Sequence, residues 1–124
     1  MSSITVTSVQ SPTLRYVAGA GKFRVVEAVR LEATIDGLAV VVTVPAGETT
    51  NGPSYYPWLD DSMIAATYHD WLASQPKGHD ILSRWDAGNL ALAIKLRPGS
   101  DVPRWRAYLA WAANAALGWI WWGK

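Results

Sequence analysis

The sequence predicts an α+β fold: a small N-terminal antiparallel sheet of two or three strands, packed by three C-terminal helices. Apolar and polar residues alternate with period two in the first third of the chain, and apolar residues recur at helical spacing after residue 60. Segments rich in proline and glycine separate these runs. Because 124 residues is a common length for one domain, we expect a single domain over 1–124, with residues 1–12 as a flexible N-terminal arm.

Residues 13–44 form the predicted β-rich part, and residues 23–44 are expected to form a β-hairpin. One set of alternating positions is mainly apolar: Val25, Glu27, Val29, Leu31, Ala33 and Ile35. Asp36-Gly37 then separates this run from the β-branched run LAVVVTV, and a D-G pair between two such runs is a strong hairpin signal. Residues 14–17 are expected to add a shorter strand to the same sheet.

The segment that follows is predicted to be an ordered loop over residues 45–59. Residues 45–58, PAGETTNGPSYYPW, contain three prolines and two glycines, which disfavour both helix and strand. Loops of this length in small domains are often functional.

Residues 60–122 are predicted to form three helices. The first begins at Asp60 or Asp61 and runs to about Ala73, with its apolar face formed by Ile64, Tyr68, Trp71 and Leu72. The second begins at Ser83, where Asp86 three residues later approximates a capping box, and runs to about Leu96. The third starts at Pro103, which is tolerated in a first turn, and runs to about Trp122.

The third helix is apolar nearly all round, since Asn114 is the only strongly polar residue from 107 to 122. Such a helix is buried in a core, a membrane or a partner. Five of the eight tryptophans lie at or after Trp105, and tryptophan is enriched at protein interfaces. We therefore expect a contact surface that contains the following residues: Trp111, Trp119, Ile120, Trp121 and Trp122. Membrane contact through 107–122 is a less favoured option, because a surface-bound helix usually has a basic face.

Composition excludes several classes of function. The net charge of +1 argues against a nucleic-acid partner. The absence of cysteine excludes disulfides, zinc thiolate sites and thiol nucleophiles. The N-terminus does not resemble a secretory signal, so synthesis and folding in the cytoplasm, without secretion, are expected.

The stretch AATYHDWL, residues 65–72, carries the most suggestive chemistry. His69 and Asp70 are adjacent, and a histidine beside a carboxylate is a common start for general-base or metal chemistry. On a helical wheel His69 lies at the edge of the apolar face and Asp70 points away from it. The alternative interpretation is therefore structural, with His69 bonded to the 45–58 loop and Asp70 paired with Arg84 or with solvent. Arg84 could also tie a loop to a carboxylate.

The segments VPAGETTNGPS, AATYHDWL, SRWDAG and VPRWRAYLAWAANAALG together resemble a family of small tailed-phage and prophage proteins, a domain of unknown function. The resemblance covers residues 40–118 or so. The family pattern is roughly V-P-A-G-F-x-T-D-x-A-S, A-A-x-x-H-D-x-L-Y and S-R-x-x-A-D. This chain departs from it at Asn51, Ala73 and Gly88, and two of these departures remove a family carboxylate.

The His-Asp helix is also similar to the catalytic helices of secreted calcium-dependent phospholipases. That resemblance implies His69 as the base, Asp70 as a calcium ligand and an orienting aspartate near Gly88. Since position 88 has no side chain, we expect no catalytic site and no cofactor, with calcium only if the protein is a hydrolase. A polar network is expected instead, formed by Thr50, Asn51, Ser54, His69, Asp70 and Arg84.

Together these features predict a phage-encoded non-enzymatic protein that is made in the bacterial host cytoplasm and then enters the virion or assists its assembly. Its expected partners are other phage structural proteins or copies of itself, with a homo-oligomer favoured. A calcium-assisted hydrolase of lipid or cell envelope is the first alternative. A small inhibitor of a host defence protein is the second.

Overall fold

The structure is a computed structural model that describes residues 3–17, 22–50, 62–75 and 82–117. Its strands precede its helices, which confirms the predicted α+β class. The elements are β1 (Ile4–Val9), β2 (Leu14–Val17), β3 (Lys22–Val25), β4 (Val29–Ile35), β5 (Leu38–Val44), β6 (Thr49–Thr50), α1 (Ser62–Ser74), α2 (Arg84–Leu96) and α3 (Arg104–Leu117).

The strands form two three-stranded antiparallel sheets, with orders β1-β4-β5 and β2-β3-β6. The sequence predicted one sheet and a single strand from residue 23 to residue 35. That strand is interrupted by a bend after Val25, and the chain passes there from one sheet to the other. Glu27, the one charged residue on the predicted apolar face, lies exposed in this bend. Burying an unpaired carboxylate is costly, so the break keeps Glu27 in water.

The hairpin turn falls where the sequence predicts it. Ile35 pairs with Leu38, and both residues between them have positive φ, 51° at Asp36 and 83° at Gly37. Positive φ at both central positions defines the type I′ turn, whose twist matches that of the two strands. The hairpin therefore consists of β4 and β5.

The predicted flexible N-terminal arm is wrong over residues 4–9, which form β1 and pair with β4. Ile4, Val6 and Val9 are partly buried and pack against the core, so this short segment carries an apolar face of its own. β6 lies within the predicted 45–59 loop and pairs with β3. Residues 51–59 of that loop lie outside the described residues.

One hydrophobic core joins the strands to α1 and α2. Its members, with the strand residues first, are Val25, Val29, Leu31, Ala33, Ile35, Val42, Val44, Ile64, Ala65, Tyr68, Leu72, Leu82, Ala87, Leu90 and Ile94. The predicted apolar face of the first helix is thus confirmed, with Trp71 half-buried at its margin. The hydroxyl of Tyr68 donates a 3.0 Å hydrogen bond to the carbonyl of Gln10 and ties α1 to the segment after β1.

Helices α2 and α3 begin where the sequence predicts that they begin. The Ser83 hydroxyl accepts a hydrogen bond from the Asp86 amide at 3.1 Å and caps α2, which confirms the predicted cap. α3 begins directly after Pro103, whose carbonyl accepts bonds from the amides of Arg106 and Ala107. The predicted extension of α3 to Trp122 lies outside the described residues. Among the described helices, none is both long and apolar enough to cross a membrane.

Candidate functional site

His69 and Asp70 lie on the edge of α1, at the junction of α1, β6 and α3. Their side chains are 18% and 31% exposed, so both are partly withdrawn from water. The helical wheel correctly predicted that His69 lies at the edge of the apolar face of α1. Asp70 was predicted to point into solvent, but its side chain is partly covered because β6 packs along α1.

Asp70 is held by Thr50 and not by Arg84. The Thr50 hydroxyl donates a 2.6 Å hydrogen bond to Asp70 Oδ2, and Thr50 is only 3% exposed. A short hydrogen bond to an ionised carboxylate is about twice as strong as a neutral one. The predicted Asp70–Arg84 pair is therefore replaced by a bond that anchors β6 to α1.

His69 is held by an amide from α3. Asn114 Nδ2 lies 3.0 Å from His69 Nε2. An amide nitrogen can only donate, so Nε2 accepts and the ring proton of neutral His69 resides on Nδ1. Nδ1 is 4.0 Å from Asp70 Oδ1, beyond hydrogen-bonding distance. Among the described residues, the adjacent Asp70 carboxylate therefore does not orient the His69 ring through a hydrogen bond, as the carboxylate partner of a general base would.

Gly88 on α2 makes room for the Asn114 side chain. A Cβ atom at position 88 would lie 3.2 Å from Asn114 Nδ2, closer than ordinary van der Waals contact. The phage family that this chain resembles carries an aspartate at this position. In this chain the Asn114 amide of α3 lies in the space beside Gly88. Sequence reasoning identified Gly88 as a departure but did not identify Asn114 as its neighbour.

Arg84 contacts backbone carbonyls of α3 and not a loop carboxylate, which corrects the prediction for this residue. Its guanidinium lies 4.2 Å from the centre of the Trp85 ring, a cation–π distance. Nη1 is 3.4 Å from the carbonyl oxygens of both Asn114 and Ala115. A cation beside carbonyls in the last described turn of a helix is electrostatically favourable.

A shallow depression lies between α2 and α3. Trp111 forms one side of it and donates a 2.8 Å hydrogen bond from its indole nitrogen to Asn89 Oδ1. Trp111, which the sequence assigned to an intermolecular interface, is therefore half-buried and bonded within the chain. The lining residues are Arg84, Trp85, Gly88, Trp111, Asn114 and Ala115.

The part of the chain that the structure describes offers few side chains that could bind a metal ion. No three histidine, aspartate or glutamate side chains come together there. Calcium takes six to eight oxygen ligands, and near His69 the described residues bring only the Asp70 carboxylate, already bonded to Thr50. The described side chains therefore do not fit calcium at this position.

Four of the six predicted network residues fall into two bonded groups in the structure, Thr50 with Asp70, and His69 and Arg84 with Asn114. Thr50 bonds Asp70, the adjacent His69 bonds the Asn114 amide, and the Asn114 carbonyl faces Arg84. The signal for Asn114 was present in the sequence, because a lone polar residue on an apolar helix needs a partner when it is buried. The remaining predicted residues, Asn51, Ser54, Trp119, Ile120, Trp121 and Trp122, lie outside the described residues.

Gly88→Ala tests whether the open space at position 88 holds the His69–Asn114 bond. Alanine in a helix is favoured over glycine by about 1 kcal/mol, whereas losing a hydrogen bond costs a similar amount, about 1 kcal/mol. We expect Gly88→Ala alone to leave the free energy of unfolding nearly unchanged. In an Asn114→Ala background, where no amide is displaced, the same substitution should stabilise by about 1 kcal/mol.

A double-mutant cycle by urea denaturation, with imidazole ¹⁵N shifts of His69 measured in each variant, checks this. Gly88→Ala should shift the His69 resonances as Asn114→Ala does. Equal stabilisation in both backgrounds, with unchanged His69 shifts, would contradict the assignment of Gly88 to this contact.

No family model matches this chain, and comparisons with curated proteins and with solved structures likewise gave no match. The function is therefore argued from the residues and geometry described above.

Proposed function

We propose that this is a phage-encoded non-enzymatic protein, a virion-associated or assembly component that acts through protein–protein contacts. The observation that carries this proposal is the outward face of α3. Trp105, Tyr108 and Leu109 are 64%, 46% and 50% exposed. A helix that shows large apolar side chains to water, with only Arg106 and Ala107 buried, has the character of an unpaired contact surface.

Five exposed residues form one stripe along α3. Positions 105, 108, 109, 112 and 116 are spaced as i, i+3, i+4, i+7 and i+11, so they lie on one face of the helix. All five are exposed, and we call them the α3 stripe: Trp105, Tyr108, Leu109, Ala112 and Ala116. The opposite face carries Ala107 and Asn114 and packs on α2 and α1.

The composition of the α3 stripe suits a protein partner. Aromatic residues are enriched and charged residues depleted at the centres of protein interfaces, and the stripe has two aromatic side chains and no charge. Trp85 on α2 is 55% exposed and lines the depression beside α3.

The polar site gives less support to the alternative, a calcium-assisted hydrolase. Nε2 of His69 accepts from an amide, Asp70 is engaged by Thr50, and position 88 has no carboxylate. These contacts join β6, α1 and α3, and they suit a framework that holds α3 in place. The phage origin in this proposal rests on the resemblance of residues 40–118 to the tailed-phage family.

Purified phage particles provide the test. Mass spectrometry of particles purified through a density gradient should detect this protein in a fixed ratio to the other virion proteins. In particles from phage that carries Leu109→Arg, that ratio should fall at least about tenfold, because a buried arginine without a partner is costly. Leu38→Arg is the matched control: Leu38 is 73% exposed on the distant hairpin, and the ratio should be unchanged.

His69→Ala separates the two functions. In the contact role, His69→Ala protein that still folds should remain in particles, and phage yield should be preserved. Absence of the wild-type protein from both particles and assembly intermediates would overturn the proposal. Normal incorporation of His69→Ala together with loss of lysis or entry would favour the hydrolase instead.

A further inference from the structure

We propose that the α3 stripe binds the α3 stripe of a second copy of this chain, with the two helices antiparallel and related by a two-fold axis near residues 110 and 111. This inference rests on the proposed function, because it names a partner for the same surface. It is carried by the order of large and small side chains along the stripe, and by the position of the charges beside it.

Large residues occupy the N-terminal half of the α3 stripe and small residues the C-terminal half. Trp105, Tyr108 and Leu109 come first, followed by Ala112 and Ala116. An antiparallel two-fold at this position brings each large side chain opposite an alanine of the other copy. Trp105 meets Ala116, and Leu109 meets Ala112. Tyr108 meets Ala113, which is half-buried beside the stripe.

This order makes the surface complementary to itself. A two-fold interface uses the same patch on both copies, so residue i contacts residue j and j contacts i. Alternation of large and small residues across facing helices allows close packing without voids. A parallel pair would instead set Trp105 against Trp105 at one end and leave a gap between alanines at the other.

Charge also favours the antiparallel arrangement. Arg104 is exposed at the start of α3, and no acidic residue lies in that first turn. A parallel pair would bring the two Arg104 side chains together, and like charges in contact are unfavourable. The antiparallel pair separates them to opposite ends of the interface. It also sets the two helix dipoles side by side in opposite directions, which is more favourable than two parallel dipoles.

A lipid surface fits the α3 stripe less well than a second copy does. Helices that lie on membranes usually combine an apolar face with a basic polar face. The charged residues of α3 are confined to its first turn, where Arg104 is exposed and Arg106 is buried, and residues 107–117 carry no charge. A smooth apolar surface would also leave space over Ala112 and Ala116 that the Trp105 and Leu109 side chains of a second copy would fill.

Sedimentation velocity of the protein, residues 1–124, over a wide range of concentrations tests the association. The wild-type chain should show a monomer–dimer equilibrium. Leu109→Arg should raise the dissociation constant at least about tenfold, since each copy would bury an arginine against Ala112 of the other. The same substitution at exposed Leu38 should leave the dissociation constant unchanged, and circular dichroism checks that both variants are folded.

Cysteine cross-linking tests the direction of the helices, and the natural chain has no cysteine to interfere. In the antiparallel pair, positions 116 of the two copies are separated by about 16 Å along the axis, at about 1.5 Å per residue. A disulfide needs Cα atoms within about 7 Å. Ala116→Cys alone and Trp105→Cys alone should therefore fail to cross-link, whereas an oxidised mixture of the two variants should form a heterodimer. Each such heterodimer retains one native Trp105–Ala116 contact.

The outcomes separate this inference from the proposed function. A wild-type chain that is monomeric at every concentration, or a dimer that Leu109→Arg leaves intact, would overturn the second copy as the partner. Cross-linking of Ala116→Cys to itself would overturn the antiparallel arrangement. A protein that is monomeric but present in phage particles would support the proposed function and not the dimer. A protein that is dimeric but absent from particles and assembly intermediates would support the dimer and not the proposed function. A monomer that cosediments with vesicles of phosphatidylglycerol would reject the second copy in favour of lipid.

Discussion

Leu72→Ala is expected to lower the free energy of unfolding by about 2–5 kcal/mol, the range for removing a fully buried leucine side chain. Leu72 is 0% exposed and belongs to the core that joins α1 to α2 and the strands. Alanine would leave a cavity there, since the surrounding helices and strands relax only partly. Urea denaturation followed by circular dichroism measures the loss.

Leu38→Ala is the control for this substitution, because it removes the same atoms from a leucine that is 73% exposed. Its effect should stay within about 0.5 kcal/mol. A similar small loss for Leu72→Ala would mean that α1 does not pack on the core as described. It would also remove the support for the position of His69 and Asp70, which α1 holds against β6 and α3.

Tyr68→Phe is expected to change the response of the protein to alkaline pH. Burial raises the pKa of Tyr68 from 10.0 to about 12, and its hydrogen bond to Gln10 lowers the pKa by a smaller amount. In the unfolded chain the phenol ionises first, so the contribution of Tyr68 to stability is complete below pH 10 and is lost as the pH rises towards 12. At about 1.4 kcal/mol per pKa unit, that loss reaches roughly 3 kcal/mol.

Phenylalanine at position 68 does not ionise and should abolish this part of the alkaline loss. At neutral pH it should cost about 1 kcal/mol, because the hydrogen bond to Gln10 is removed. Urea denaturation at pH 9 and at pH 12 measures both effects. Tyr16→Phe, at a tyrosine that is 58% exposed, should keep the wild-type difference between the two pH values. Equal alkaline loss in Tyr68→Phe and wild type would contradict the burial of this hydroxyl.

The candidate site was only partly predictable, because its residues come from distant parts of the chain. His69 and Asp70 are adjacent in sequence, and the helical period placed His69 correctly. Their partners Thr50 and Asn114 come from β6 and α3. Local sequence patterns do not show which distant elements come into contact. The guanidinium of Arg84 was expected to tie a loop to a carboxylate, whereas packing places it beside the carbonyls of Asn114 and Ala115.

The two faces of α3 illustrate the same limit. The sequence indicates an apolar helix with a single amide, and that pattern is compatible with burial in a core, in a membrane or against a partner. The fold decides which face packs inside the chain: Ala107 is buried, and Asn114 lies against Gly88 of α2. Trp105, Tyr108 and Leu109 consequently face water and become available to a partner.

By itself the sequence determined the α+β class, the Asp36-Gly37 hairpin turn, the Ser83 cap and the buried face of α1. These features depend on period, turn chemistry and capping, which act over a few residues. Tertiary structure alone decided the division into two sheets, the pairing of β1 with β4, the Thr50–Asp70 and His69–Asn114 bonds, and the exposure of the α3 stripe. Those depend on which distant segments meet, and on the cost of burying a charge such as Glu27 or of leaving a buried polar group without a partner.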